Sequence, residues 1–539
     1  MSSTPPHMPS RPPFRISQDK LKKLGHHVGI LDAQKPAAEK AEEAAPKHQG
    51  KWVAMFEGQN HFYTQRINQT VLSSLIGFAL SDVCPLWRAA KATLEGIDYQ
   101  GARVKFIKDF NTLEGTPSMP DGRPRSVYVE SRYDSLDALS AEQLTQKKVP
   151  SFCALAKILG NQDIPPRNWG YTGKSIQETD AFFMSDIDLS GYYVPIRSGG
   201  LVDASRPELG EASDTLTSPL MFPKSEEYYF FTVKGPLESF NYNTPRVTVS
   251  GTSTPSKSLE SVQEKLLEDA PRAQYFQLLF AAAALPDSWL DSLSARYLTA
   301  THHKAVHPQA LVNRFKAHRD TLKANLQAEL AKEDSPFQRL LATHRDEWIQ
   351  QALAHAHKFN LHDCRKESHR AQRINLEELL ANLKELAGLP RELGPGDQRL
   401  LDAGKAEGRD HFLRIKAKEY LQNLEGKARW TRKKLPDTAK KFLTQLEAPG
   451  PIDWSSWLGE LDSKSQKAFG RRQETILAYR GLAQLIRVSD AQSRAEEAMS
   501  TGIRPETPVV GAGAGSPMMT SSPLGHRTNP LTGSGNSPQ

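Results

Sequence analysis

The chain is poor in cysteine: three in 539 residues, Cys84, Cys153 and Cys364. An odd number at wide spacing excludes a disulfide framework and fits a reducing cytosol. No apolar run approaches the roughly 20 residues that span a bilayer, and the most apolar stretch, Phe276 to Leu285, is stopped by Pro286. The opening residues MSSTPPHMPSRPPFR have no apolar segment behind them, so no cleavable signal peptide is expected and export would need another route. No G-x-S-x-G elbow, G-x4-GK[ST] loop or H-E-x-x-H helix occurs, which removes support for hydrolase, P-loop NTPase and zinc-protease chemistry. There is no motif for sequence-specific nucleic-acid recognition and no internal repeat.

What is present is a globular composition, 38% hydrophobic and 24% charged, with a net charge of +7. Much of the basic excess lies in the C-terminal third. It suits an anionic membrane surface or lipid headgroup, and solubility alone also accounts for it. The length allows two or three domains of about 150 residues each. Residues 1–24 read as a disordered N-terminus. Short strands are expected at Val28–Leu31, in KWVAMF from Lys51, at Ala102–Ile107 and at Ser126–Ser131. The segment Thr70 to Val83 carries apolar residues at 71, 72, 75, 76, 79 and 80, a helical stripe that ends before Cys84-Pro85.

Beyond these lies the most informative stretch, SFCALAKILGNQDIPPRNWGYTGKSIQETDAFFMSDIDLSG, from Ser151 to Gly191. An apolar helix end runs into a polar loop with Asp163 and Asn168 in D-x4-N spacing. An aromatic strand follows, then an apolar run closing on Asp186 and Asp188. Phosphoryl transfer needs positioned charge more than covalent chemistry: a carboxylate to orient the acceptor hydroxyl, and an amide plus a carboxylate to hold a divalent cation on the nucleotide phosphates. The bland alternative is a Pro-rich turn, Ile164 to Arg167, capped by its Asp and Asn.

The loop LGNQDIPPRNWGY with FFMSDIDLSG resembles the active-site signature of the atypical protein-kinase-like fold. It is similar to phosphoinositide kinases, to the kinase toxins of bacterial persistence modules, and above all to phosphoinositide-kinase-like effectors secreted by intracellular bacteria. The resemblance covers roughly forty residues. It implies an α+β, two-lobed kinase-like domain over residues 25–300, ATP with Mg2+ or Mn2+ as cofactors, and a phosphoinositide or protein hydroxyl as acceptor. Within it Asp163 is the expected catalytic carboxylate, and Asn168 and Asp188 the metal ligands, with Asp186 a second candidate. The sequence departs from the family in having no upstream Gly-rich loop and Met55 where a phosphate lysine is expected. Lys51, Lys105 and Lys108 are the available substitutes. The rival reading is a non-enzymatic scaffold that engages a partner protein through its helices.

From Ser258 to about Ala498 the chain reads as almost wholly helical. Ser261 and Glu264 form a capping-box pattern, and further helices are expected over 309–331, 336–358, 375–387, 397–424 and 465–498. Residues 301–498 are assigned to a helical domain and 499–539 to a disordered tail. His355, His357, His362, Cys364 and His369 match no closed zinc pattern, and a solvated helical face is the expectation there. The basic segment Arg414–Lys441, with Tyr420 and Trp430, is a candidate headgroup-binding patch.

Overall fold

The apolar stripe after residue 60 forms a helix, α1 (His61–Leu80), and it is buried on every side. In the computed structural model residues 67–81 are all buried, Asn68, Thr70, Ser73 and Ser74 included. The helix ends ahead of the expected Cys84-Pro85 stop. Ser74 Oγ then ties the exit down, donating to the Pro85 carbonyl at 2.6 Å and accepting from the Trp87 N–H at 2.5 Å. The structure describes residues 15–17, 27–31, 52–57, 61–94, 97–105, 110–112, 134–160, 169–172, 182–184, 196–197, 201–202, 257–298, 308–363, 372–430, 435–448, 450, 452–467 and 473–500. The strand expected at Ser126–Ser131, the N-terminal tract 1–14 and the tail beyond 500 lie outside them.

Strands β1 (Arg15–Ser17), β2 (His27–Leu31), β3 (Trp52–Glu57), β4 (Arg88–Leu94) and β5 (Ile97–Lys105) pair in the order β1-β4-β5-β3-β2, and β4 and β5 pack on α1. β4 and β5 are an antiparallel hairpin with Leu94 opposite Ile97, and β5 turns Ala102 and Val104 into the core. A short strand β6 (Phe110–Thr112) follows. Helices α2 (Asp134–Asp137), α3 (Ala141–Gln146) and α4 (Val149–Ile158) come next. A reciprocal capping box starts α3: Ser140 Oγ accepts from the Gln143 N–H at 3.2 Å, and Gln143 Oε1 accepts from the Ser140 N–H at 2.9 Å. Every residue of α4 is buried. Strands β7 (Trp169–Thr172) and β8 (Phe182–Met184) pair antiparallel with β6 in the order β6-β7-β8, and β9 (Ile196–Arg197) pairs with β10 (Leu201–Val202).

The remaining elements are helices: α5 (Lys257–Leu266), α6 (Asp269–Ala283), α7 (Asp287–Tyr297), α8 (Pro308–Leu330), α9 (Pro336–Asp363), α10 (Leu376–Leu386), α11 (Pro395–Trp430), α12 (Asp437–Glu447), α13 (Trp454–Lys467) and α14 (Gln473–Ser500). The chain divides into two units, Met1–Ala483 and Gln484–Gln539. In the second, the described residues are the helical turns that end at Ser500. No helix among the described residues is long and apolar enough to cross a membrane.

This architecture corrects the expected α+β, two-lobed kinase-like fold: the described structure is mostly helical. The physical reason lies in the core. Residues of α1, α4, α6, α8, α9 and α10 belong to one apolar cluster running from Ile67 to Leu401. A helix laid on the sheet of a small lobe would bury one face, whereas α1 is enclosed on all sides by that cluster. The expected capping box is also corrected, because Ser261 lies inside α5 and the chain breaks instead at Leu267-Glu268 before restarting at Asp269. The helix expected over 375–387 forms, and Asn375 caps it, with its Oδ1 accepting from the Glu377 and Glu378 N–H groups at 3.1 and 3.3 Å.

Side chains from α8 hold the ends of two other helices. His318 Nε2 lies 3.1 Å from the Lys157 carbonyl in the last turn of α4, and Arg319 Nη1 donates to the Leu285 carbonyl just past α6 at 2.7 Å. The Lys157 carbonyl also accepts the Gly160 N–H at 3.1 Å, so His318 adds a second partner to this helix end.

Helices α9 and α11 approach closely because Gly404 and Gly408 present no side chain at the contact. A Cβ on Gly404 would stand 2.6 Å from Leu353 Cβ, and one on Gly408 would run into the Ala354 carbonyl oxygen. Backbone cannot swing aside, so Gly408→Ala is expected to destabilise by about 1–3 kcal/mol. Gly459→Ala, a helical glycine with nothing within 4 Å of the added carbon, is expected to gain about 0.5–1 kcal/mol. Urea unfolding of both variants checks the contrast, and equal effects would refute the close-packing account.

Candidate functional site

The sequence motif enters this fold through its flanks. Asp163, Asn168, Asp186 and Asp188 lie outside the described residues, as does Lys51. On the near side, α4 ends in Leu159 and a left-handed Gly160 with φ of 56°, and Asp163 follows by three residues. On the far side, β7 begins directly after Asn168, and β8 ends two residues before Asp186. β7 and β8 pair antiparallel with Trp169 opposite Met184. In sequence, Asn168 immediately precedes one strand of this ribbon, and Asp186 and Asp188 follow the end of its partner strand by two and four residues. Likewise Lys105 ends β5 opposite Trp52, the neighbour of Lys51 in sequence. Of the three substitute lysines, Lys105 alone lies among the described residues, since Lys108 falls outside them with Lys51.

A second constellation was not foreseen as a unit. Asp82, just past α1, receives the Lys358 ammonium from α9 at 2.7 Å on Oδ1, while Lys148 approaches its Oδ2 at 3.9 Å. Lys358 is wholly buried, whereas the Asp82 side chain keeps 31% of its surface in water. The same ammonium reaches the Ser81 carbonyl at 3.5 Å and His355 Nδ1 at 3.3 Å, and lies 4.4 Å over the Phe78 ring. An ammonium only donates, so His355 Nδ1 must accept. His411 of α11 stands beside His355 with ring centroids 5.5 Å apart, and its Nε2 is 3.7 Å from Glu407 Oε1. His411 Nδ1 is buried without a hydrogen-bond partner among the described residues. Asp82, His355 and His411 each offer a ligand atom, and these lie within 4.8 Å of one another.

The electrostatics follow from one buried charge. Burial works to raise the Asp82 carboxyl, but the adjacent Lys358 ammonium prevails and holds it well below the usual carboxylate range. Burial, reinforced by Lys358, pushes His355 well below its ordinary value and keeps it neutral. Burial lowers Lys358 itself, against the pull of Asp82. The Cys84 thiol is pushed up to about 12 by burial, and burial raises Cys153 as well, so neither is a nucleophile at neutral pH.

These findings correct the solvated-face reading of the α9 histidines. His357 is buried and pushed down to about 3, first by burial and then by nearby Lys405, Arg373 and Arg409. His355 serves the Lys358 cluster, and His362 Nδ1 lies 3.2 Å from Arg88 Nη2. The basic stretch from Arg414 is partly committed internally. Arg414 pairs with Asp410 at 2.6 Å, Lys416 with Glu419 at 3.1 Å and Lys441 with Glu460 at 2.8 Å.

Comparison of the chain with protein families and with curated proteins finds no match.

Proposed function

We propose that this protein transfers the terminal phosphate of ATP, with Mg2+ or Mn2+, to a phosphoinositide or a protein hydroxyl. Asp163 orients the acceptor, Asn168 and Asp188 hold the metal with Asp186 as the alternative ligand, and Lys51 or Lys105 neutralises phosphate. The observation that supports this reading is that β7 starts directly after Asn168 and its antiparallel partner β8 ends two residues before Asp186. The assignment concerns the chemistry of these residues and not a two-lobed fold. In this reading the protein works in a cytosol, reached by a route without a signal peptide when delivered into a host cell, and meets anionic membrane only peripherally.

Removing an interaction made only in the transition state lowers kcat and kcat/KM together. Asp163→Ala should therefore abolish phosphotransfer while metal-dependent ATP binding persists, and Asp188→Ala should weaken both. Radiolabel transfer to phosphoinositide vesicles and generic protein acceptors, run beside ATP-induced shifts in melting temperature, reads both quantities. A folded wild-type chain that neither binds ATP nor labels any acceptor would sink the reading.

The helical mass favours a second reading, a non-enzymatic scaffold. It predicts a partner captured equally well by wild type, Asp163→Ala and Asp188→Ala. Truncation after residue 300 is not a usable test, because α8 and α9 share the core of α1.

A further inference from the structure

Three elements converge at the Lys358 cluster: the exit of α1 with Asp82, α9 with His355, and α11 with His411. The pocket already holds a cation, since the Lys358 ammonium is cradled by Asp82 Oδ1, the Ser81 carbonyl and His355 Nδ1. One part of it is unspent. Among the described residues Asp82 Oδ2 is approached by Lys148, at 3.9 Å. The buried His411 Nδ1 has no hydrogen-bond partner among the described residues, although an imidazole nitrogen deprived of water ordinarily acquires one.

We infer that Asp82, His355 and His411 form a binding site for a Zn2+-class divalent ion, in competition with the Lys358 ammonium for the same acceptors. Two imidazoles and one carboxylate are a donor set that suits borderline first-row metals rather than Mg2+. Three protein ligands leave a fourth position for water, and the partial exposure of Asp82 gives it a path to solvent. Ligand atoms around a tetrahedral Zn2+ lie about 3.4 Å apart. The observed separations, within 4.8 Å, therefore close by rotation of side chains without moving helices. This site is separate from the Asp163, Asn168 and Asp188 set and does not depend on the phosphotransfer reading.

The test is Zn2+ binding by the metal-stripped full chain, followed by calorimetry, with Co2+ absorption in the visible range as a report of coordination. Wild type should bind one Zn2+ at this site, with Mg2+ in large excess failing to compete. His411→Ala leaves the Lys358 contacts in place and should weaken that binding at least tenfold. Lys358→Met removes the resident cation and should tighten it at least tenfold. Circular dichroism confirms that each variant is folded, and His411→Asn replaces His411→Ala should the latter not fold. A folded wild type that takes up no Zn2+, or a folded His411 variant that binds it as tightly as wild type, overturns the assignment.

Discussion

Acidification from about pH 7 to about pH 4 should cost wild type about 3 kcal/mol more stability than it costs His318→Gln. His318 is buried against α4 and is pushed down to about 4. Burial is the main cause, the hydrogen bond with the Lys157 carbonyl opposes it, and the Lys157 ammonium reinforces it. An unfolded histidine takes up its proton near pH 6.5. Between that value and about 4 the unfolded chain binds a proton that the folded chain refuses, so stability falls as the pH falls. The slope from this one group is about 1.4 kcal/mol per pH unit, and it levels off once the folded form protonates too. Glutamine keeps an N–H donor for the Lys157 carbonyl but cannot titrate, so it should remove this slope while retaining the contact. Urea unfolding of both proteins at a series of pH values measures the difference, and parallel profiles would show that His318 does not titrate in this way.

The ends of the helices were largely legible in the sequence, and their surroundings were not. The Cys84-Pro85 stop and the helix start at Pro336 act through local backbone chemistry: α9 begins at Pro336, and α1 ends at Leu80, ahead of Cys84-Pro85. Helices α7, α12 and α13 lie within the stretch read as almost wholly helical but were not singled out as separate elements. The error over architecture has a single physical source. Asn68, Thr70, Ser73 and Ser74 look like the wet side of an amphipathic helix, yet all are buried, and periodicity cannot report polar groups satisfied inside a core. The same blindness hid the Lys358 cluster. Asp82, His355 and His411 meet only through tertiary packing, and a lysine at i+3 from a histidine reads as a solvated face. One signal was available in Gly404 and Gly408, spaced i and i+4 on a long helix, which marks a close approach by a neighbouring helix. The neighbour proved to be α9, the carrier of both His355 and Lys358.

The Asp82–Lys358 pair should respond unequally to loss of its two halves. Lys358 is wholly buried, so Asp82→Ala strands an ammonium with only the Ser81 carbonyl, His355 and the Phe78 ring for company. Breaking a buried pair from the side that leaves an uncompensated charge costs about 3–5 kcal/mol. Lys358→Met leaves Asp82 instead, and Asp82 retains access to water and has Lys148 nearby. That substitution also removes the cost of burying the ammonium, so its effect should stay below about 1 kcal/mol. Adding Lys358→Met to Asp82→Ala should then recover most of the loss, a coupling that a double-mutant cycle reads directly. The pH dependence gives an independent sign. The Lys358 ammonium is lowered by burial even with Asp82 present, and without the carboxylate that shift deepens. The unfolded chain then holds a proton that the folded variant sheds, so stability rises with pH and the Asp82→Ala deficit should narrow on the alkaline side. Denaturant titrations with a chelator present, so that no metal enters the site, carry out the measurement. Equal losses for the two single variants, or a deficit that widens as the pH rises, would show that the buried ammonium is not what Asp82 holds in place.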